Sequence, residues 1–405
     1  MAGHSSYERD NPPLAGIRVL DFGRFVAAPY CGMLLADMGA EVLRVERPGG
    51  DEDRRVGLKA PNGENLIYPS LARGKKSITL DLASTAGAGM LEQLITHADV
   101  VLHNFSPRAA AKMRLDYADV RRVKPEVIYA AISMFGSSGP YALRPGFDPI
   151  AQAMSGAMAL TGTERAPIRS GVPWVDYATG MLAALGTVAA LYHRRSTGRG
   201  QAVDCALLQT AINCVTPMVA EALITGRERP RLQNRAAYLG PTDLYECRDG
   251  RVYVATATAA AWRALMCLIG REDLADSASL STDEQRFEQR AQVDPLVKRW
   301  MRRRLLSNAV AALVRAKIPC GVYQTTAEIP NDPQVQELGM LAYADLEHPG
   351  MSRVPVVRFP IRFSTLGVPS VTRPPRPGEH NEHVYCGLLG YDAAWLARSA
   401  SQSLI

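Results

Sequence analysis

Apolar residues in the first third of the chain fall into short runs whose period alternates between strand and helix. Ile17 to Phe22 is a compact, mostly apolar run suited to a buried strand, and Ala27 to Gly39 follows with a helical pattern closed by glycine. Glu41 to Glu46 returns to strand. The alternation then recurs, with strands over Ser77 to Asp81, Val100 to His103 and Val127 to Ser133 and a helix over Ala86 to His97. Strand, helix and strand within about 30 residues make a βαβ unit, so repetition predicts an α/β fold on a doubly wound, Rossmann-like parallel sheet. Such sheets bind ligands beyond the carboxyl ends of their strands, which directs attention to the segments after Phe22, Glu46, His103 and Ser133.

Further on, Val172 to Arg195 reads as an apolar helix ending in the basic cluster His193, Arg194 and Arg195. Thr197 to Gln201 is a turn, Ala202 to Ala206 a strand, and an Ala/Val/Ile-rich segment continues to Leu223. After Thr225 the composition shifts to Arg227, Arg229, Arg231 and Arg235, interrupted by Pro230, which marks a linker. Tyr245 to Ala257 has the form of a hairpin turning at Asp249 and Gly250, and charged helices run from there to about Lys317. Pro349 to Pro377 is Pro-rich and reads as an extended strap. The expected organisation is a large domain over 1–200, a connection over 201–224, a smaller inserted α+β domain over 225–330, and a return to the large domain over 331–405. The large domain is then built from both chain ends.

A length of 405 residues supports two domains, and 47% hydrophobic with 21% charged residues is the balance of a globular protein. The net charge of +6 is mild, and no Lys/Arg stripe runs beside stacking aromatics, which argues against nucleic-acid binding and leaves an anionic small molecule as the fitting partner. No stretch reaches the roughly 20 unbroken apolar residues of a membrane span, and Met1 to Pro13 is polar. A cytoplasmic location without membrane contact is expected. The 7 cysteines are scattered and read as small core residues. There is no Gly-x-Gly-x-x-Gly after the first strand, no phosphate loop, no nucleophile elbow and no spaced Cys/His set. His380 and His383 form the one close histidine pair and have no Cys companion, and no metal site is expected.

Several blocks, taken in order, carry a family resemblance. They are Leu14 to Phe22, Ala36 to Val42 with Glu46-Arg47-Pro48, Gly74 to Ser77 with Leu80-Asp81-Leu82, and Ala98-Asp99-Val100 with Asn104-Phe105. Gly136 with Gly139-Pro140-Tyr141, Gly200-Gln201 with Val203-Asp204, and Gly378-Glu379-His380 complete the set. The chain resembles the class III coenzyme A transferases, which include formyl-CoA transferase and, as relatives, the α-methylacyl-CoA racemases. Within the class it is most similar to members that move CoA from succinyl-CoA to malate.

The resemblance implies an acyl-CoA:carboxylate CoA-transferase acting on malate or a similar dicarboxylate, with no cofactor beyond the coenzyme A of the substrate. It places the covalent nucleophile at Asp176, in the segment Asp176-Tyr177-Ala178-Thr179-Gly180. A carboxylate with an ordinary pKa near 3.9 would be ionised at neutral pH without a helper base. On its own, the same Asp could equally be a helix cap. CoA contacts are implied at Val26, Ala27, Arg47, Ala72, Arg73, Gly74, Lys75, Asn104, Phe105, Lys112, Ser133 and Phe135. Two departures matter. Val26 stands where the formyl enzyme has glutamine, against formyl transfer, and Gly146-Phe147-Asp148 stands where the racemases have Gly-His-Asp, against racemisation, since phenylalanine accepts no proton. The formyl enzyme's glycine-rich flap is also missing, Tyr238 to Pro241 being the nearest equivalent. The alternatives are a racemase-like isomerase and a CoA-binding subunit dependent on a related chain. The resemblance also implies an interlocked dimer, either a homodimer or a mixed oligomer with a related subunit. Arg227 to Arg235 are candidates for holding a distal carboxylate, or are simply a solvated linker.

Overall fold

The computed structural model describes residues 12–59, 65–345, 353–366 and 371–405; the polar start up to residue 11 and parts of the Pro-rich stretch, 349–352 and 367–370, lie outside them. Six parallel strands form the central sheet in the order β3-β2-β1-β4-β5-β6. They are β1 (Arg18–Asp21), β2 (Glu41–Glu46), β3 (Lys75–Thr79), β4 (Val100–His103), β5 (Ile128–Ser133) and β6 (Gln201–Ala206). Register is fixed from the centre, with Val19 beside both Val42 and Val100. The chain works outward from β1 to β3 and then resumes on the other side of β1, which opens a crevice between the carboxyl ends of β1 and β4.

Neighbouring strand residues feed two separate cores. Val19, Val42, Val100 and Ile128 join helices Ala27–Asp37 and Trp174–Thr197 in one, while Leu20, Leu43, Val101 and Tyr129 join Thr85–Thr96 and the C-terminal residues Trp395 and Leu396 in the other. Burial on both faces is why these strands read as apolar runs rather than as alternating patterns. β3 begins two residues before the predicted Ser77, because Lys75 is drawn into the sheet by a buried partner.

β3 is also an edge, and the chain's own C-terminal segment covers it. His380 N donates to Ser77 O at 2.9 Å, Ser77 N to His380 Nδ1 at 3.2 Å, and Thr79 N to Asn381 Oδ1 at 2.9 Å. The block Gly378-Glu379-His380 therefore closes a sheet edge.

The chain divides into two compact units. One comprises Met1–Ser155, Gly171–Cys214 and Pro333–Ile405, and the other Gly156–Ser170 with Val215–Asp332. The second holds the antiparallel sheet β7 (Asp243–Glu246), β8 (Arg251–Val254) and β9 (Cys320–Val322) over a core that includes Trp262, Leu265, Trp300 and Met301. The predicted hairpin is β7 and β8. A further antiparallel pair, β10 (Leu341–Asp345) with β11 (Arg353–Val357), was not foreseen in the sequence pattern.

Helices Trp174–Thr197 and Leu207–Thr225 are long and apolar enough to cross a membrane by length and composition. The first, however, packs on helix Ala27–Asp37 and on β5 and β6, with Val175, Thr179, Gly180, Ala183 and Ala184 buried along that side. Gly180 sets how close the two helices come. A Cβ there would lie 2.6 Å from the carbonyl oxygen of Ala27 and 3.1 Å from the Tyr30 ring. This gives the glycine of the Asp-x-x-x-Gly segment a packing reason, one helical turn below Asp176. In an open helix Gly→Ala would stabilise by about 1 kcal/mol. Here we expect Gly180→Ala to destabilise by about 1–3 kcal/mol through overpacking, measured by denaturant unfolding; a variant more stable than the parent would contradict this packing.

Candidate active site

A group of buried charges lies behind the carboxyl end of β1. Asp21 accepts from Gly23 N and from Lys75 Nζ, both at 2.7 Å, and Lys75 Nζ also donates to Pro29 O at 2.7 Å, with neither side chain exposed. Burial pushes the Lys75 ammonium down from its ordinary pKa while Asp21 pulls it back up. Beside them, Arg44 donates to Gly23 O at 2.7 Å and to both oxygens of Asp53 at 2.9 and 2.8 Å. Asp53 in turn accepts from Phe25 N at 3.3 Å, and Asn104 clamps Arg24 through its backbone N and O, both at 2.8 Å. Phe25 sits at φ 63°, a conformation that costs a bulky residue about 1–3 kcal/mol. The ties on either side of it and at its own N–H hold it there.

Asp176 occupies the first turn of helix Trp174–Thr197. Asp148, at the start of helix Asp148–Met154, accepts from Val175 N at 2.8 Å and Asp176 N at 3.2 Å through one oxygen, and from Gln152 Nε2 at 2.5 Å through the other. The helix is thus capped by a buried carboxylate from another element. Asp176 itself is no cap, and among the described residues no cation pairs with it. Burial first, and then the negative charge of Asp148, push the Asp176 carboxyl up to about 7. The expectation of an unperturbed carboxylate is corrected: desolvation and a like charge outweigh the favourable helix terminus.

Asp176 opens on a cavity of about 290 Å³ at the carboxyl ends of β1, β4 and β5. Of the CoA-contact positions implied in the sequence, Val26, Ala27, Asn104, Phe105 and Ser133 line it together with Asp176, as do Gly146 and Phe147 of the segment noted for Phe147. The others do not. Lys75 is enclosed by Asp21, Arg73 is buried against Asp37, and Ala72 is buried next to it. Their cations face into the protein because their acidic partners lie on β1 and on helix Ala27–Asp37, more than thirty residues away in sequence. Gly74 N donates to Thr372 Oγ1 at 2.9 Å. Arg47 is half exposed and pairs with Asp51 at 3.2 Å and Glu52 at 3.6 Å, while Lys112 is exposed in the last turn of helix Pro107–Lys112. Phe135 packs against the core and edge-on to Tyr141, with ring centroids 5.6 Å apart.

Three charged cavity or cap residues were given no role in the sequence reading: Arg24, Arg144 and Asp148. Arg24 lies three residues beyond the end of β1 and was within reach of the strand-end rule. Asp148 belonged to the segment Gly146-Phe147-Asp148, which was noted only for Phe147, and nothing local distinguished Arg144.

The family model described as CoA-transferase family III matches residues 14–381. Succinyl-CoA–D-citramalate CoA-transferase of Chloroflexus aurantiacus is 32% identical over 403 residues, covering 99% of this chain and 100% of the relative. Succinate–glutarate CoA-transferase of Agrobacterium fabrum is 35% identical over 389 residues, covering 93% of this chain and 96% of its own. A CAIB/BAIF family protein from Brucella suis, solved by crystallography, superposes with a TM-score of 0.82 at 31% identity, covering 94% of this chain and 100% of that one. With a parallel α/β sheet of this order and a family match from Leu14 to Asn381, the chain belongs to CoA-transferase family III and is an enzyme of that class.

Proposed function

We propose that this enzyme transfers CoA between small dicarboxylic acids, with succinyl-CoA as donor and malate or a similar dicarboxylate as acceptor, and that Asp176 is its covalent nucleophile. One observation carries the reading: a carboxylate without a cationic partner among the described residues stands at a helix start, inside a cavity lined by Val26, Ala27, Asn104, Phe105 and Ser133. The substrate class is taken from the relatives, named for succinyl-CoA with citramalate and for succinate with glutarate.

The cycle needs only carboxylates and a thiolate. The Asp176 carboxylate attacks the thioester carbonyl of the donor, the C–S bond breaks, and a mixed anhydride forms with release of CoA thiolate. The thiolate attacks the aspartyl carbonyl and expels the first acid as its carboxylate, leaving an aspartyl thioester. The second acid's carboxylate attacks that thioester and regenerates anhydride and thiolate. A final thiolate attack on the new acyl carbonyl gives the product acyl-CoA and restores Asp176. No proton is transferred, so no general base is required. The first turn of helix Ala27–Asp37 has no side-chain cap, and Val26 and Ala27 face the cavity, so backbone N–H groups there are available to the tetrahedral oxyanions. A cavity of about 290 Å³ suits the acyl end of the thioester, with the nucleotide held outside, where Arg47 and Lys112 are exposed. Phe147 lines the cavity edge-on to Phe25, at 5.7 Å, in the place where an isomerase would need a base.

We further propose an interlocked dimer, or an equivalent assembly with a related chain. Its support is the exposed apolar run Met181, Leu182, Leu185 and Tyr192 on helix Trp174–Thr197, together with Leu223 and Ile224.

Asp176→Ala is expected to reduce turnover at least 1000-fold, on the order expected for loss of a covalent nucleophile, with a melting temperature no lower than the parent's; more than a few per cent of activity would remove Asp176 from the chemistry. Because the carboxylate must be ionised, the rate of transfer should rise with pH with a midpoint near 7. A flat profile between pH 5 and about 8 would contradict the burial and Asp148 effects. Stability should run the other way. The fold favours protonated Asp176, so that contribution is full below its ordinary value of 3.8 and is lost as pH rises to about 7. Asp176→Asn should accordingly melt higher than the parent at pH 8, and the gain should vanish near pH 4.

A further inference from the structure

We propose that Arg144 is the residue that reads the free distal carboxylate of the acyl group, and so sets the preference for dicarboxylates; this rests on the dicarboxylate reading above. Two arginines line the Asp176 cavity, Arg24 and Arg144. Arg24 is engaged: it pairs with Asp51 at 3.4 Å and Glu52 at 3.8 Å and lies over the Phe105 ring at 5.1 Å. Arg144 has no acidic partner among the described residues. Its guanidinium stacks on the Tyr141 ring at 4.0 Å, and its backbone N donates to Tyr141 O at 2.9 Å.

That arrangement prepares a carboxylate site. A guanidinium stacked on an aromatic face keeps its in-plane N–H fork free for bidentate pairing, and the ring limits the rotamer freedom lost on binding. Arg144 is exposed at the rim of the cavity, so an anion reaching it from Asp176 needs no closed polar shell. A succinyl or malyl group bound as the aspartyl anhydride has one carbonyl at Asp176 and a second, charged carboxylate at its other end. The rim cation supplies the opposite charge.

The linker arginines noted in the sequence do not compete for this role, because most of them are committed within the second unit. Arg229 pairs with Glu221 at 2.7 Å, Arg235 with Asp243 and Asp294, and Arg231 donates to the backbone oxygens of Thr163, Ala159 and Glu164.

The test compares succinyl-CoA with butyryl-CoA, which has the same chain length but a methyl group in place of the distal carboxylate. In a ping-pong cycle kcat/KM for the donor reports the donor half-reaction alone, whatever the acceptor. With the purified full chain, Arg144→Gln is expected to lower kcat/KM for succinyl-CoA about 100-fold and to leave butyryl-CoA within about twofold. Arg144→Lys, which keeps the charge without the fork, should fall between. Equal losses with both donors would place Arg144 on the CoA phosphates and overturn the proposal, and so would no loss with either. If the Gln variant melts well below the parent, the Lys variant decides by the same ratio. A parent enzyme that uses butyryl-CoA as well as succinyl-CoA would overturn the dicarboxylate reading itself, and one that uses neither donor would overturn both.

Discussion

The buried charges at the carboxyl end of β1 are the constraint on which the site depends. Asp21 and Lys75 neutralise each other in the interior, and Arg44 joins Gly23 to Asp53. Breaking such a pair by removing one partner typically costs about 3–5 kcal/mol, because the remaining charge stays buried. The consequence is positional. Between them these groups hold Gly23, Phe25 and the start of helix Ala27–Asp37, and Asn104 pins Arg24 to the end of β4. The same helix meets Gly180 one turn below Asp176. A continuous series of contacts therefore runs from an ion pair inside the sheet to the carboxylate in the cavity.

Around Asp176 the physical requirements pull in opposite directions. A nucleophilic carboxylate must be ionised, yet burial and the charge of Asp148 favour its neutral form. Asp148 cannot simply be dispensed with, since it satisfies the first N–H groups of the long helix. Desolvation also has a benefit for transfer chemistry. A carboxylate stripped of water is a stronger nucleophile than a solvated one, and a partly enclosed site limits hydrolysis of an acyl anhydride. The stability given up at this position is what a working site commonly costs the fold.

Much of the fold was legible because the sheet is buried on both faces. β2 and β4 match the predicted bounds, Glu41 to Glu46 and Val100 to His103, since an apolar strand bounded by turns leaves little freedom. The pairing of β10 with β11 was not legible, nor was the membership of Gly156–Ser170 in the second unit, because both depend on contacts distant in sequence. The site divided in the same way. Asp176, Val26, Ala27, Asn104, Phe105 and Ser133 follow strand ends or open a helix, so their backbone position fixes what they face. Arg73 and Lys75 lie instead at the amino-terminal end of β3, and their long side chains go where a buried carboxylate is, Asp37 and Asp21 drawing them inward. Arg144 and Asp148 became readable only when their surroundings were known.

The central claim is covalent participation of Asp176, and trapping the aspartyl intermediate tests it most directly. The enzyme would be incubated with succinyl-CoA and then treated with hydroxylamine, followed by peptide mass mapping. The account predicts conversion of the Asp176 carboxyl to the hydroxamate, dependent on acyl-CoA and absent at Asp148, whose oxygens are engaged by the helix. Active enzyme that yields no modification, or modification at a different residue, would contradict it.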